Sequence, residues 1–434
     1  MNSKIPIVLS FISKRYFTNT KSRRKIEKRQ KRKIKKQLSF IRRNSAFYSG
    51  IMDKNTTLSQ LPVMDKASMM QNFNTLNTVG IDRDTALEMA INAEKTRDFT
   101  EKYGNVTVGL SSGTSGNRGM FIVSEEDKNA WAASVLAKLL PKNNMLGHRV
   151  ALFLRANSQM YESIDSKAIK FRYFDIMQPV EFHIEPLKEY APTIIAAPPS
   201  VLKMLAVFIQ KGLLPKTAVK VISVAEVLEE SDIPVIKKAF GVDFIHQIYQ
   251  CTEGFLGYTC EHGGFHINED IVHIEKEYLD EKRFVPIITD FTRKGQPIIR
   301  YRLNDVLIED KTPCLCGSKM LKISAIEGRT DDIFYFPSSS GSGSVAVFSD
   351  FIRRCVLFSG VGDEYRVLQL SESLVELQLK GSDDVTPFCN ELEKLASQLS
   401  FAMPKVTLGE YKLETGKKLK RVERKDFKNS ESVL

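Results

Sequence analysis

The chain has little of several things, and each scarcity narrows its reading. Among 434 residues there are one tryptophan, six histidines and six cysteines. Four of the six cysteines are bunched between Cys251 and Cys316, which makes no disulfide framework and points to a reducing cytoplasm. No apolar run approaches the roughly 20 residues that span a bilayer. The apolar stretch from Ile5 to Ile12 is short and runs into Lys14-Arg15 rather than into a small-residue cleavage site, so it does not read as a signal peptide. Acidic residues are almost missing from residues 14–43, where 15 Lys and Arg stand against Glu27 alone. That segment carries +14 of a chain whose total is +11, so the remainder is net −3.

Within the basic segment Ile26, Ile34, Leu38 and Ile41 recur at near-helical spacing, which predicts a helix with one apolar stripe and a charged outer face. Such a face can be plainly solvated, or can meet anionic lipid headgroups or an acidic partner protein. Nucleic acid is disfavoured because aromatic residues do not interleave the charges. With 42% hydrophobic residues overall, the chain can bury more than one core. Strand-like runs at Val150–Leu154, Ile194–Ala197, Val219–Val224 and Phe244–Tyr249 alternate with helical patterns at Asp127–Leu140, Ser200–Lys211 and Glu230–Phe240. The alternation predicts an α/β fold with a largely parallel, helix-covered sheet. Helical stretches near Ser68–Asn77 and Thr85–Lys102 look like a capping layer. Past Asp332 the run Ser338 to Ser344 reads as a flexible loop, and a smaller α+β pattern follows it. The expected organisation is a basic helical segment at 1–43, a large domain at 44–330 and a small, mobile C-terminal domain at 331–434.

Between an alternating segment ending at Leu110 and the run Met120-Phe121-Ile122-Val123 lies Ser111-Ser112-Gly113-Thr114-Ser115-Gly116-Asn117-Arg118-Gly119. Three glycines permit a tight turn with successive N–H groups pointing inward, while four hydroxyls and Arg118 add donors that suit phosphate oxygens. A plain Ser/Gly hairpin loop has the same composition. The Gly-Lys-Ser/Thr ending of the P-loop is missing, since Asn117-Arg118 stand in its place.

Four further segments carry chemistry: Tyr249-Gln250-Cys251-Thr252-Glu253-Gly254, Ile299 to Asp305, Glu327-Gly328-Arg329-Thr330-Asp331-Asp332, and Thr415-Gly416-Lys417-Lys418-Leu419-Lys420-Arg421-Val422. Alone, each is explained by a cap, a turn or a charged tail. In this order and spacing they resemble the adenylate-forming superfamily of acyl-CoA ligases. The chain is more narrowly similar to its phenylacetate-CoA ligase-like branch and to the related synthetases that act on the deazaflavin coenzyme. The narrower likeness rests on Ala225-Glu226-Val227-Leu228, His266-Ile267-Asn268-Glu269-Asp270, Pro313-Cys314-Leu315-Cys316-Gly317, Phe47-Tyr48 and Leu61 to Lys66.

The resemblance implies a large ATP/AMP-binding domain and a small mobile one. A carboxylate would attack the α-phosphate of ATP to give an acyl-adenylate and pyrophosphate; Tyr173, Phe174 and Phe182 suit an aromatic acid and suit core packing equally well. Ser112, Gly113, Thr114, Ser115, Gly116 and Arg118 would cradle phosphates, Thr252 would touch the α-phosphate, and Glu253 would hold Mg²⁺. Ala225, Glu226 and Tyr249 would line the adenine pocket, with Asp305 and Arg329 at the ribose. Lys418 matches the catalytic lysine, Lys417 competes for that role, and the domain pivot falls at Asp331. Ser338 to Ser344 stands where the branch has an apolar segment lining the thiol tunnel. Coenzyme A, a carrier-protein thiol, an amine or no acceptor at all therefore stay open, as does nucleotidyl transfer of the deazaflavin-synthetase kind. A reading from another class is a non-catalytic zinc protein that binds nucleic acid or membrane.

Cys260-x-His262 and Cys314-x-Cys316 could supply four soft ligands to one tetrahedral Zn²⁺, with His266 able to replace His262. Two turns carrying reduced cysteines would look the same. Similar Cys/His clusters in the phenylacetate-like branch imply a structural zinc. Cys251 reads as packing rather than as a nucleophile.

Overall fold

Short β-branched and aromatic runs separated by helix-length segments favour parallel pairing, because each crossover is long enough to return the chain to the same edge of a sheet. The computed structural model describes residues 5–18, 20–96, 98–110, 119–141, 146–154, 169–176, 178–329, 332–341, 343–362, 364–381, 383–412 and 420–425. Its contacts divide into a first unit, Met1–Leu303 with Ile308–Ala325, and a second, Asn304–Leu307 with Ile326–Leu434.

In the first unit β1 (Val106–Leu110) and β2 (Met120–Ser124) form an antiparallel hairpin. The main sheet begins with β3 (His148–Leu154), β4 (Ile169–Asp175), β5 (Ile194–Ala197), β6 (Lys220–Ser223) and β7 (His246–Cys251), all parallel, in the order β4-β3-β5-β6-β7. The order reverses at β3, the kind of point beyond which such sheets open a ligand crevice at the carboxyl ends of their strands. Phe153, Phe174, Leu202, Leu205, Val221 and Ile236 are buried between this sheet and the helices Pro199–Gln210 and Asp232–Phe240. A third helix, Glu125–Leu139, starts on a capping box in which the Ser124 side chain accepts from the Asp127 N–H.

From Cys251 onward the sheet departs from the parallel expectation. β8 (Gly254–Thr259) follows β7 after two residues, a connection that can only join antiparallel neighbours. β9 (Phe265–Ile267), β10 (Val272–Tyr278), β11 (Arg283–Asp290) and β12 (Tyr301–Arg302) extend the sheet, with β13 (Asp305–Glu309) and β14 (Lys322–Arg329) belonging in part to each unit. The capping layer also differs in detail. The expected helix at 68–77 is two, Lys66–Gln71 and Phe73–Leu76, because the Asn72 amide bonds back to the Ser68 carbonyl at 2.8 Å and ends the first.

The basic segment lies within the first unit as two helices, Ile5–Tyr16 and Arg23–Asn44. Ile26 and Ile41 are buried, but so are Gln30 and Gln37, whose amides donate to the carbonyls of Glu269, Val272 and Arg293. Arg23 grips both oxygens of the Glu269 carboxylate, at 2.6 and 2.8 Å.

In the second unit β15 (Phe334–Pro337) and β16 (Ser344–Val347) pair antiparallel. The serine run between them, expected to be a flexible loop, is therefore a hairpin turn: Ser338 N–H donates to Gly343 O, and Ser339 N–H to Ser400 O. The sheet order β19 (Lys405–Glu410), β18 (Leu374–Leu379), β17 (Tyr365–Ser371), β20 (Val422–Arg424) packs with the helices Ser349–Ser359 and Thr386–Leu399 around Phe334, Phe336, Val367, Leu377, Phe388 and Leu392.

Candidate functional site

The adjacent carboxyl ends of β5, β6 and β7 concentrate the singled-out residues of the first unit. Beyond β6 the Glu226 N–H bonds to the Val224 carbonyl at 2.8 Å while Ala225 holds φ at 68°. This is a γ-turn of the rare positive-φ kind, a strained conformation for a residue with a Cβ. The turn aims the Glu226 carboxylate at Ser200, which donates its N–H at 3.2 Å and its hydroxyl at 3.0 Å from the start of the helix after β5. Glu226 thus ties two strand ends together. Tyr249 is buried in β7 opposite Gly257.

Thr252 and Glu253 form the two-residue connection of the β7–β8 hairpin, in which Cys251 pairs with Gly254. The Thr252 hydroxyl donates to Glu253 Oε2 at 2.8 Å. Burial raises the Tyr301 hydroxyl well above the phenol range, and its hydrogen bond to the Glu253 carboxylate reinforces the shift. Gly254 is required here, since a Cβ would lie 2.5 Å from Asp290 Oδ2. Buried Asp290 has its carboxyl pKa raised by that burial and accepts from the Thr292 N–H and hydroxyl, both at 2.6 Å. Arg293 then joins two parts of the site: one guanidinium nitrogen donates to the Thr252 carbonyl at 3.0 Å and the other to the Ile122 carbonyl of β2 at 2.9 Å. The hairpin that holds residues 111–118 between its strands is fastened in this way to the Thr-Glu turn.

Residues 111–118, among them Ser112, Gly113, Thr114, Ser115, Gly116 and Arg118, and residues 413–419, with Lys417 and Lys418, lie outside the described residues, as do Thr330 and Asp331. In the second unit Arg329 Nε lies 3.6 Å from Asp305 Oδ1, so the two residues expected near a ribose are neighbours. The Arg329 N–H donates to Asp332 Oδ2 at 3.2 Å, and Lys420 Nζ pairs with the other oxygen of the same carboxylate at 3.2 Å. Gly328 adopts φ 149°, and the Glu327 carbonyl before it accepts from Ser349 and Arg353. Sequence reasoning missed Arg293 as part of the site, and gave Tyr301 no role although it stands in the Ile299 to Asp305 segment. The turn-forming Asp290-Phe291-Thr292-Arg293 was the available signal for the first.

A second cluster unites Cys260, His266, Cys314 and Cys316, whose ligand atoms all lie within 4.8 Å of one another. His262 is corrected here: it sits exposed on the turn after β8, whereas β9 carries His266 inward against β8 and β14. Cys260 Sγ is 3.6 Å from Cys314 Sγ, and Cys316 Sγ is 3.3 Å from His266 Nε2. Zn–S bonds of about 2.3 Å in a tetrahedron put sulfurs about 3.8 Å apart, so the donor set fits that ion. Gly264 makes room, because a Cβ there would fall 2.5 Å from Cys314 Sγ. Burial pushes the Cys260 thiol up to about 12, so ionising that thiol calls for a cation.

No protein-family model matches the chain, and neither does the sequence of any curated protein. Solved structures do match. The crystal structure of 2-hydroxyisobutyryl-CoA ligase in the postadenylation state, in complex with 2-HIB-AMP, superposes with a TM-score of 0.64 at 16% identity over 92% of this chain and 90% of that one. The same ligase in an open conformation with 2-HIB-AMP and CoA gives 0.58, at 16% identity over 91% and 90%. The amide bond synthetase McbA from Marinactinospora thermotolerans gives 0.51 at 12% identity, over 76% of this chain and 70% of that one. The α/β architecture with its smaller C-terminal unit is therefore the fold of the adenylate-forming ligases.

Proposed function

We propose that the chain is an ATP-dependent adenylate-forming ligase of the phenylacetate-CoA ligase-like branch. A carboxylate oxygen of the substrate attacks the α-phosphorus of ATP, the bond from that phosphorus to the bridging oxygen breaks, and pyrophosphate leaves with the electron pair. The observation that carries this reading is the Thr252-Glu253 turn at the end of β7, fastened through Arg293 to the hairpin that holds residues 111–118. Thr252 would meet the α-phosphate and residues 112–116 with Arg118 the outer phosphates. Tyr249, Ala225 and the backbone at Glu226 would line the adenine pocket, and Asp305 with Arg329 would take the ribose.

Glu253 accepts from Thr252 and Tyr301 and retains lone pairs for a hard cation, so it fits the Mg²⁺ of this chemistry. That ion would offset charge on the departing oxygens. Lys418 would contact the reacting carboxylate and α-phosphate. Cys260, His266, Cys314 and Cys316 would hold a structural zinc with every coordination position filled by protein. A thiol is the favoured acceptor, since a structural neighbour binds both an acyl-AMP and CoA. Nucleotidyl transfer and a non-catalytic zinc protein are not favoured. The test is exchange of labelled pyrophosphate into ATP across a panel of aromatic and aliphatic acids. One acid should support it, and silence across the panel would refute the reading.

A further inference from the structure

The first helix buries Ile7 in a cluster with Trp131 and Phe255, and it turns its two cations toward the fold as well. Its cations point inward: the Arg15 guanidinium donates to the carbonyls of Ala137, Leu140 and Pro141 at 2.7, 2.9 and 3.0 Å, closing the carboxyl end of the helix Glu125–Leu139. Lys14 is half-buried and lies near Asp270. The opposite face is apolar and open, with Val8 52%, Leu9 64%, Ile12 38%, Tyr16 59% and Phe17 78% exposed. Val8, Leu9, Ile12 and Tyr16 follow one helical stripe, and Phe17 stands just past the end of the helix, its N–H still bonded to the Ser13 carbonyl. A contiguous exposed stripe of large apolar side chains marks an interaction surface.

The neighbouring helix Arg23–Asn44 supplies the complement. Its inner face is held by Gln30, Gln37 and Lys33, the last donating to the Asp270 carbonyl. Its outer face exposes Arg24, Lys28, Lys31, Arg32, Lys35 and Lys36 against one exposed acid, Glu27. Lys14 and Lys33 both lie near Asp270, so the inner faces of the two helices meet at one residue.

We propose that these two helices form a docking surface for an anionic lipid bilayer, the apolar stripe of Ile5–Tyr16 and Phe17 entering the headgroup region while the basic face of Arg23–Asn44 meets acidic headgroups. Apolar insertion beside a dense basic face is the combination that holds peripheral helices at such interfaces. The inference stands apart from the proposed reaction, since binding is read without ATP or acid.

The test is co-sedimentation of the full chain with phosphatidylcholine vesicles, with and without phosphatidylserine, at about 0.1 M and about 1 M salt, where the Debye length falls from about 10 Å to about 3 Å. Binding is expected to the mixed vesicles alone and to fall at high salt. The double change Leu9→Asp with Ile12→Asp should abolish it. The triple change Lys28→Glu, Lys31→Glu, Lys35→Glu should weaken it by about fivefold or more for each charge removed. Failure of the unaltered chain to sediment with acidic vesicles overturns the proposal, whatever the variants do. So does binding that both variants leave unchanged, at melting temperatures matching the parent. A dimer that forms without lipid and dissociates in the Leu9→Asp, Ile12→Asp variant, with no vesicle binding, would assign the stripe to a second copy of the chain instead.

Discussion

His246 opens the strand whose far end carries Thr252 and Glu253, and its imidazole shows how much of the site depends on neutral, dry packing. Burial, helped by the nearby Lys220, lowers it from the ordinary histidine range to about 4, while its Nδ1 lies 3.2 Å from the Thr259 carbonyl. The fold therefore prefers the neutral ring. Between about pH 6.5 and pH 4 the unfolded chain binds the extra proton, so stability from this residue is complete above the upper value and is lost as pH falls through the window. His246→Phe, which keeps the ring beside Phe244, should flatten that part of the acid-unfolding curve. A variant curve as steep as the parent's between those values would show that His246 is not the group titrating. The same paired logic explains what was legible at single positions. Thr252, Glu253, Asp305 and Arg329 stand in motifs whose spacing announces them. Tyr301 stands in the same motif as Asp305 but its bond to Glu253 is not announced by spacing, and Arg293 stands in no motif, because each acts by joining segments that only the fold brings together.

At the scale of elements, the run from β8 to β9 and on to Cys316 closes a knuckle whose four ligand atoms come from three short segments. Zinc binding there should contribute to folding outright, since Leu315 at the centre of the Cys314–Cys316 turn is almost fully exposed and adds nothing to a core. The purified chain is expected to carry about one zinc per molecule by elemental analysis. Cys316→Ser, or prolonged chelation, should lower the melting temperature by roughly 5 °C or more. A chain that is metal-free as purified and melts unchanged after Cys316→Ser would remove the site. In the parallel half of the sheet β3, β5, β6 and β7 were readable as short apolar runs, whereas β4 was not, because Lys170, Arg172 and Asp175 interrupt its apolar residues. The hairpin β15–β16 was not, because its turn is rich in serine and glycine, and composition alone cannot distinguish a tight turn from a loose loop.

For the whole molecule, the basic N-terminal segment is part of the first unit's core rather than an appendage to it. Arg23, Gln30, Lys33 and Gln37 satisfy groups on Glu269, Asp270, Val272 and Arg293, and Ile26 and Ile41 are buried. Removing residues 1–44 would leave buried polar atoms without partners, each costing about 1–3 kcal/mol. The truncated chain is expected to be insoluble or to melt well below the full one, and a truncation that melts like the parent would contradict this. The sequence could not reveal that docking, since a stripe of isoleucines specifies that a helix packs but not the buried glutamines that decide where.

The central claim is that the Thr252-Glu253 turn serves adenylation, and pyrophosphate exchange tests it most directly. With ATP and an acid that the site accepts, the unaltered chain should return labelled pyrophosphate to ATP, and Glu253→Ala should lower that rate by about a hundredfold or more while leaving the far-ultraviolet circular dichroism unchanged. Exchange that survives Glu253→Ala undiminished would contradict the account.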